Sequence, residues 1–264
     1  MRWVGFRKVR RQLCKRLQRR LRALEVATLS DYRTYLAHAP DEWARLDSYC
    51  RITISRFYRD REVYDHLCGP VLQTLAASVR TRSRKTFKVW SAGCGRGEEP
   101  YTLAIATQLA QPSLAGLRWE IVATDVDPAL LDAAQNACYR GSSLKDLPQA
   151  WIELAFERSE RGYCLRAPYR RGVHWLEQDI RMTMPEGPFD LIMCRNLVFT
   201  YFDAALQREL LAKLIERLHP HGALVIGKHE ALPEHAPPLS EWFPRLGIYR
   251  LGPERSGSKA RHHI

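Results

Sequence analysis

The chain has 264 residues, 45% of them hydrophobic, and a formal net charge of +12. Such a length and apolar content can build a sizeable core without staples, and no apolar run reaches the roughly 18 residues needed to cross a bilayer. The seven cysteines, at 14, 50, 68, 94, 138, 164 and 194, are odd in number and lack C-x-x-C spacing, which argues against a disulfide framework or a zinc site and for a reducing compartment. The N-terminus is too basic and too periodic for a secretory signal, so a cytoplasmic protein is expected.

The charge is concentrated at one end. Residues 1–25 hold ten Lys or Arg against Glu25 alone, which is +9 of the +12. Val9, Leu13, Leu17, Leu21 and Leu24 recur at the spacing of one helical stripe, predicting a helix with an apolar inner face and arginines toward water. The excess of cations favours an anionic partner: a nucleic acid, an anionic membrane or an acidic protein. Thr28-Leu29-Ser30 offers a cap for a second helix over 31–39, and the helical pattern continues through 41–58 and 61–79. Residues 1–80 therefore read as a small all-α N-terminal domain, followed by a polar linker, Arg80–Lys85.

The period then changes. Strand-like runs at 88–92, 120–124, 173–176, 191–194 and 223–227 alternate with helical stretches at 99–110, 128–138 and 204–218, the pattern of an α/β domain with a helix-covered parallel sheet, here 81–252. Short alternating segments around Gly162 and Gly172 break the alternation and predict a small antiparallel β insertion at about 155–175. Residues 253–264 are polar and aperiodic and read as a disordered tail.

In such a sheet ligands bind beyond the carboxyl ends of the strands. The first of those ends carries "SAGCGRGEEPY" (91–101). Glycine there, Gly93 foremost, lets the backbone turn tightly and approach a ligand closely, as phosphate-binding turns do. Glu98 and Glu99 oppose a phosphate, however, and point to a cationic or hydroxyl-bearing ligand. Asp125, at the second strand end, is placed to accept the hydroxyls of a ribose, while Asp127 caps the following helix. Asp179 with Ile180 and Asn196 with Leu197, at the third and fourth ends, each pair a polar with an apolar residue, which suits the edge and face of an adenine. A nucleoside with no phosphate and an acidic turn point to S-adenosylmethionine, whose sulfonium and ammonium are both positive.

Taken jointly, "ITISRFYRD" (52–60), "WSAGCGRGEEPY" (90–101), "ATDVDP" (123–128), "YRGSSLKDLP" (139–148), "FDLIMCRN" (189–196), "TYFD" (200–203), "LHPHGALVIG" (218–227) and "HEAL" (229–232) resemble, in order, the chemotaxis receptor methyltransferases of the CheR family, over nearly the whole chain. The resemblance implies a small helical N-terminal domain, a Rossmann-like class I methyltransferase domain with an inserted three-stranded subdomain, and methyl transfer from S-adenosylmethionine to glutamate side chains of a receptor. It places cofactor contacts at Ser55, Arg59, one of Glu98 and Glu99, Asp125, Asp179, Ile180, Asn196 and Leu197, and sets Arg59 and Tyr201 facing the acceptor. Against the family pattern "TNxTxFFR", Thr53 and Ser55 replace Asn and Thr and Tyr58 replaces Phe. "NLVFTYFD" is one residue longer than "NVxIYFD" before its Tyr-Phe pair. The inserted subdomain is rich in arginine.

The expected partner is an acidic helical region of a receptor or other signalling protein, met by the basic helix, with a receptor tail docking on the β subdomain. Two other functions fit the same residues: transfer to a small molecule or unrelated protein, and a non-catalytic cofactor- or nucleic-acid-binding adaptor. The acidic cofactor residues weigh against the adaptor. Nucleic acid is disfavoured because no basic strand carries interleaved aromatics for stacking bases.

Overall fold

The computed structural model describes residues 9–50, 55–109, 116–234 and 239–252, with residues 5 and 114 besides. The expected tail at 253–264, Thr53, and Arg2, Arg7 and Lys8 of the basic segment lie outside the described residues. The chain forms two compact units that divide between Ile54 and Ser55.

The first unit contains helices α1 (Arg10–Ala23), α2 (Leu29–His38) and α3 (Pro40–Cys50). Thr28 Oγ1 accepts the Asp31 N–H at 3.1 Å and caps α2, as its sequence position predicts. Val9 and Leu13 of the basic stripe are buried, as are Tyr32 and Leu36. The arginines do not all face water. Glu42, only 4% exposed, accepts the Arg20 fork at 2.9 and 2.6 Å and the Tyr32 hydroxyl at 2.8 Å. Arg16 donates to the Tyr49 carbonyl at 3.0 Å. A carboxylate withdrawn from water needs paired hydrogen bonds, and those from Arg20 hold the Glu42 carboxyl below the usual carboxylate range.

The second unit opens with α4 (Arg61–His66), a π-helical segment Leu67–Val71 kinked at Gly69, and α5 (Leu72–Thr81). These helices belong with the sheet and not with the first unit, so the division falls well before the polar linker. Their apolar residues explain why: Val63, Leu67, Val71, Leu72, Leu75 and Val79 are all buried in one core with Phe87, Val89, Leu191, Met193, Ala223 and Val225 from the strands. Each such side chain gains about 1.5–3 kcal/mol on leaving water.

The strands and helices that follow are β1 (Thr86–Ala92), α6 (Glu98–Leu109), β2 (Arg118–Asp125), α7 (Pro128–Asn136), β3 (Cys138–Tyr139), α8 (Gly141–Leu144), α9 (Gln149–Ala155), β4 (Phe156–Ser159), β5 (Gly162–Leu165), α10 (Ala167–Arg170), β6 (Val173–Glu177), β7 (Phe189–Cys194), α11 (Val198–Tyr201), α12 (Ala204–Glu216), β8 (Leu218–Ile226), β9 (Leu239–Phe243) and β10 (Ile248–Leu251). They form a seven-stranded sheet in the order β6-β2-β1-β7-β8-β10-β9. Its first five strands run parallel, while β10 runs antiparallel to both β8 and β9. This is a doubly wound arrangement with an antiparallel edge hairpin, as the resemblance implies. α5 and α6 pack on one face; α12 buries Leu210, Leu211 and Leu214 on the other, with Trp90, Ile192 and Leu224. Strand order reverses between β1 and β7, so the crevice for a ligand opens at their carboxyl ends.

The insertion is a separate three-stranded sheet, β3-β5-β4, and it begins at 138, earlier than the pattern around Gly162 suggests. Cys138 and Cys164 are direct cross-strand partners in it and form a disulfide. That pairing corrects the expectation of unbonded cysteines: 26 residues separate the two in sequence, and only antiparallel pairing brings them together. Gly172 also serves the main sheet, because a Cβ there would meet the Trp119 carbonyl at 2.8 Å.

Candidate active site

The turn after β1 runs through Gly93, Gly95 and Gly97, all with positive φ (69°, 57° and 87°), a backbone that residues with a side chain rarely adopt. At Gly93 space matters as well, since a Cβ would lie 2.7 Å from Leu197 Cδ2. The apolar residue after Asn196 therefore reaches across the turn, and the first and fourth strand ends close on one another.

The two glutamates that begin α6 have different tasks. Glu99 is engaged: its Oε1 accepts the Ser91 hydroxyl at 2.8 Å and its Oε2 faces Arg195 Nη1 at 3.4 Å. Glu98 is only 2% exposed, and its Oε2 has no hydrogen-bond partner among the described residues. Burial pushes the Glu98 carboxyl above the usual carboxylate range, partly offset by its own backbone N–H and the Ser55 hydroxyl. An unpartnered buried carboxylate oxygen is a costly feature in a folded protein, and a cationic ligand would relieve it.

Asp125 stands at the end of β2. Its Oδ2 accepts the Gly95 N–H at 2.8 Å and its Oδ1 accepts the Asp127 N–H at 3.1 Å, so it shapes the glycine turn while each oxygen keeps acceptor capacity. Asp127 caps α7 through the Ala129 N–H at 3.0 Å. Beyond β6, the Gln178 N–H bonds the Asp125 carbonyl at 3.0 Å, which brings the third strand end beside the second. Ile180 is buried in the same core as Trp90 and Ala92. The Asp179 carboxylate carries the fork of Arg181 at 2.6–3.0 Å, so a ligand contact there would share it.

Asn196 sits in the left-handed region at φ 55°, a conformation that asparagine tolerates better than most residues. Its N–H donates to Glu230 Oε2 at 2.8 Å, the same oxygen that takes the Gly227 N–H at 2.6 Å, while Thr200 donates to Glu230 Oε1 at 2.5 Å. One carboxylate thus fixes the turn after β7 against the end of β8. Arg59 and Tyr201 share one electrostatic environment. Burial raises the Tyr201 hydroxyl above its ordinary range, with Arg59 opposing that rise; burial likewise raises the Glu99 carboxyl, opposed first by Arg195 and last by Arg59. The "NLVFTYFD" segment forms the single turn of α11, which ends on Tyr201.

The family model described as "CheR methyltransferase, SAM binding domain" matches residues 53–244. The chain belongs to the CheR methyltransferase family. The chemotaxis protein methyltransferase of Listeria monocytogenes is 31% identical over 226 residues, covering 83% of each chain. The probable chemotaxis protein methyltransferase of Rhizobium etli is 29% identical and covers 93% of this chain and 92% of its own. That of Escherichia coli is 31% identical, covering 81% and 74%.

The cofactor of this CheR-family chain is S-adenosylmethionine, and the residues fit it: a glycine turn that runs into two glutamates, a buried carboxylate with an orphaned oxygen, and a second carboxylate at the next strand end. No group of His, Cys, Asp and Glu among the described residues could hold a metal ion. Two residues that the sequence reading passed over complete the arrangement, Glu230 and Arg195. Both lie inside motifs it quoted, "HEAL" and "FDLIMCRN", and the signal available for Arg195 was a charge directly after a run of buried strand residues.

Proposed function

We propose that this CheR-family enzyme transfers the methyl group of S-adenosylmethionine to glutamate side chains of a chemoreceptor-type signalling protein, forming methyl esters. The observation that supports the reading is the unpartnered Glu98 Oε2 beside the glycine turn, with Arg195 bonded to both the Arg59 carbonyl and Glu99. Glu98, Asp125 and Asn196, with Ile180 and Leu197 as apolar walls, hold the cofactor; Ser55 steadies Glu98. The cofactor supplies an electrophilic methyl group on a sulfonium. The acceptor glutamate, with an ordinary pKa near 4.3, is already an anion at neutral pH, so no side chain has to remove a proton. The protein's contribution is alignment, which is a large lever on rate. Arg59 offers a planar fork for the acceptor carboxylate, and the Tyr201 hydroxyl fixes one oxygen.

In this reading the outer face of α1 docks on an acidic helical segment of the receptor, and the three-stranded subdomain receives a receptor tail. A cytoplasmic location belongs to the same reading, supported by the absence among the described residues of any helix long and apolar enough to cross a membrane. The test is incubation with methyl-labelled cofactor and membranes bearing receptors, followed by base. Volatile methanol identifies a carboxyl ester. Label that survives base would mean a different acceptor chemistry and would overturn the assignment.

A further inference from the structure

We propose that Arg195 is a positioning residue for methyl transfer, fixing the backbone of Arg59 and tying it to Glu99 at the start of α6. The inference rests on the reading of Arg59 as the holder of the acceptor carboxylate. Arg195 follows β7 directly, and its side chain is only 3% exposed. Its Nη2 donates to the Arg59 carbonyl at 3.1 Å and to Asp60 Oδ2 at 2.5 Å, and its Nη1 faces Glu99 Oε2 at 3.4 Å. The guanidinium carbon lies 5.3 Å from the centre of the Tyr64 ring.

The segment it holds has no helix or strand of its own, and within it Tyr58 and Asp60 have left-handed φ of 56° and 62°. Residues with side chains keep that conformation only where their surroundings impose it. The first half of the segment is fixed from other elements: Arg56 pairs with Asp146 at 2.8 Å, the Phe57 N–H with the Ser143 carbonyl at 3.0 Å, and the Tyr58 N–H with Thr102 Oγ1 at 3.2 Å. The second half, which carries Arg59, is gripped by Arg195. One guanidinium therefore touches the backbone of the acceptor-side residue and, through Glu99, the first turn of the cofactor-side helix. Lysine could not do this, because a single ammonium cannot span three acceptors in a fixed plane.

The test is a double-mutant cycle between Arg195→Lys and Arg59→Ala, with turnover read at saturating cofactor and cofactor affinity by calorimetry. Arg195→Lys should lower kcat on the order of 100-fold, the effect of a displacement near 1 Å in an aligned site, with the cofactor Kd changed by less than about threefold. In the Arg59→Ala background the same change should cost no further turnover, since the two act as a unit. Equal fractional losses in both backgrounds, or a loss of cofactor affinity matching the loss of turnover, would overturn the inference. Should Arg195→Lys fold poorly, Asp60→Asn frees one arm of the clamp, and its loss of turnover must likewise vanish without Arg59. If Arg59→Ala alone retains wild-type turnover, the reading of Arg59 falls and this inference falls with it, a result distinct from additivity.

Discussion

Replacing Asp125 perturbs ligand binding and loop architecture together. Its two oxygens each accept one backbone N–H, from Gly95 at 2.8 Å and Asp127 at 3.1 Å, leaving about one acceptor site per oxygen for a pair of ribose hydroxyls. Hydrogen bonds to a charged acceptor contribute about 1.5–3 kcal/mol each, so losing two weakens binding by about 3–6 kcal/mol, or roughly a hundredfold to ten-thousandfold in Kd. Asp125→Ala should therefore bring S-adenosylmethionine to the edge of detection by isothermal titration. The backbone bonds add a consequence that a purely ligand-facing aspartate would lack: the alanine variant also frees the Gly95 and Asp127 N–H groups. Because Asp125 is only half-buried, water can replace the lost oxygens, and melting should fall by only a few degrees. Asp125→Asn retains one carbonyl oxygen, and its loss of affinity should lie between wild type and alanine. A change in Kd below about threefold in the alanine variant, with the fold intact, would refute the assignment of this carboxylate to the ribose.

Glu98→Gln should weaken cofactor binding and flatten its dependence on pH. Because burial raises the Glu98 pKa, wild-type affinity should fall on acidification at a pH above the usual carboxylate range, and titrations across that window would reveal an unaltered profile if Glu98 is not a partner of the ammonium. The sign for the ligand-free protein is opposite: the folded state binds this proton more tightly than the unfolded one, so stability falls as pH rises from the ordinary carboxylate range through the raised value, a slope that the glutamine variant should lose. Arg59→Ala should reduce turnover far more than cofactor affinity, with Arg59→Lys recovering little; near wild-type turnover in either variant would exclude the fork. Reversing Arg11, Lys15 and Arg22, all exposed on α1, to glutamate should raise KM for receptor and remove the salt sensitivity of wild-type activity, while melting and cofactor affinity stay constant; Arg20 is left in place because Glu42 depends on it. Normal receptor methylation by this variant at low salt would reduce the helix to a solvated face.

The sequence by itself determined the elements that repeat a local pattern. Strands β1, β2, β6, β7 and β8 announce themselves by apolar runs, and α6, α7 and α12 by their period, because burial on two sheet faces and on one helical stripe leaves a regular trace. The ends of those strands follow from the same pattern, which is why Gly93, Asp125, Asp179 and Asn196 were legible as candidates. The β9–β10 hairpin was not: its strands are short, with exposures that alternate weakly, and they gain definition only by pairing beyond β8. The boundary of the first unit was not legible either, since helical period says nothing about which core a helix joins; α4 and α5 bury their apolar residues in the core of the sheet.

Tertiary structure alone decided the division of labour between Glu98 and Glu99. Adjacent, identical residues at a helix start are interchangeable as sequence, and the difference arises from Ser91 on β1 and the remote Arg195, which occupy one carboxylate, while an oxygen of the other is left unpaired. The Cys138–Cys164 bond and the inward turn of Arg20 have the same cause. Each depends on what a remote element presents across a contact, and pairing at long range leaves no periodic trace in the chain.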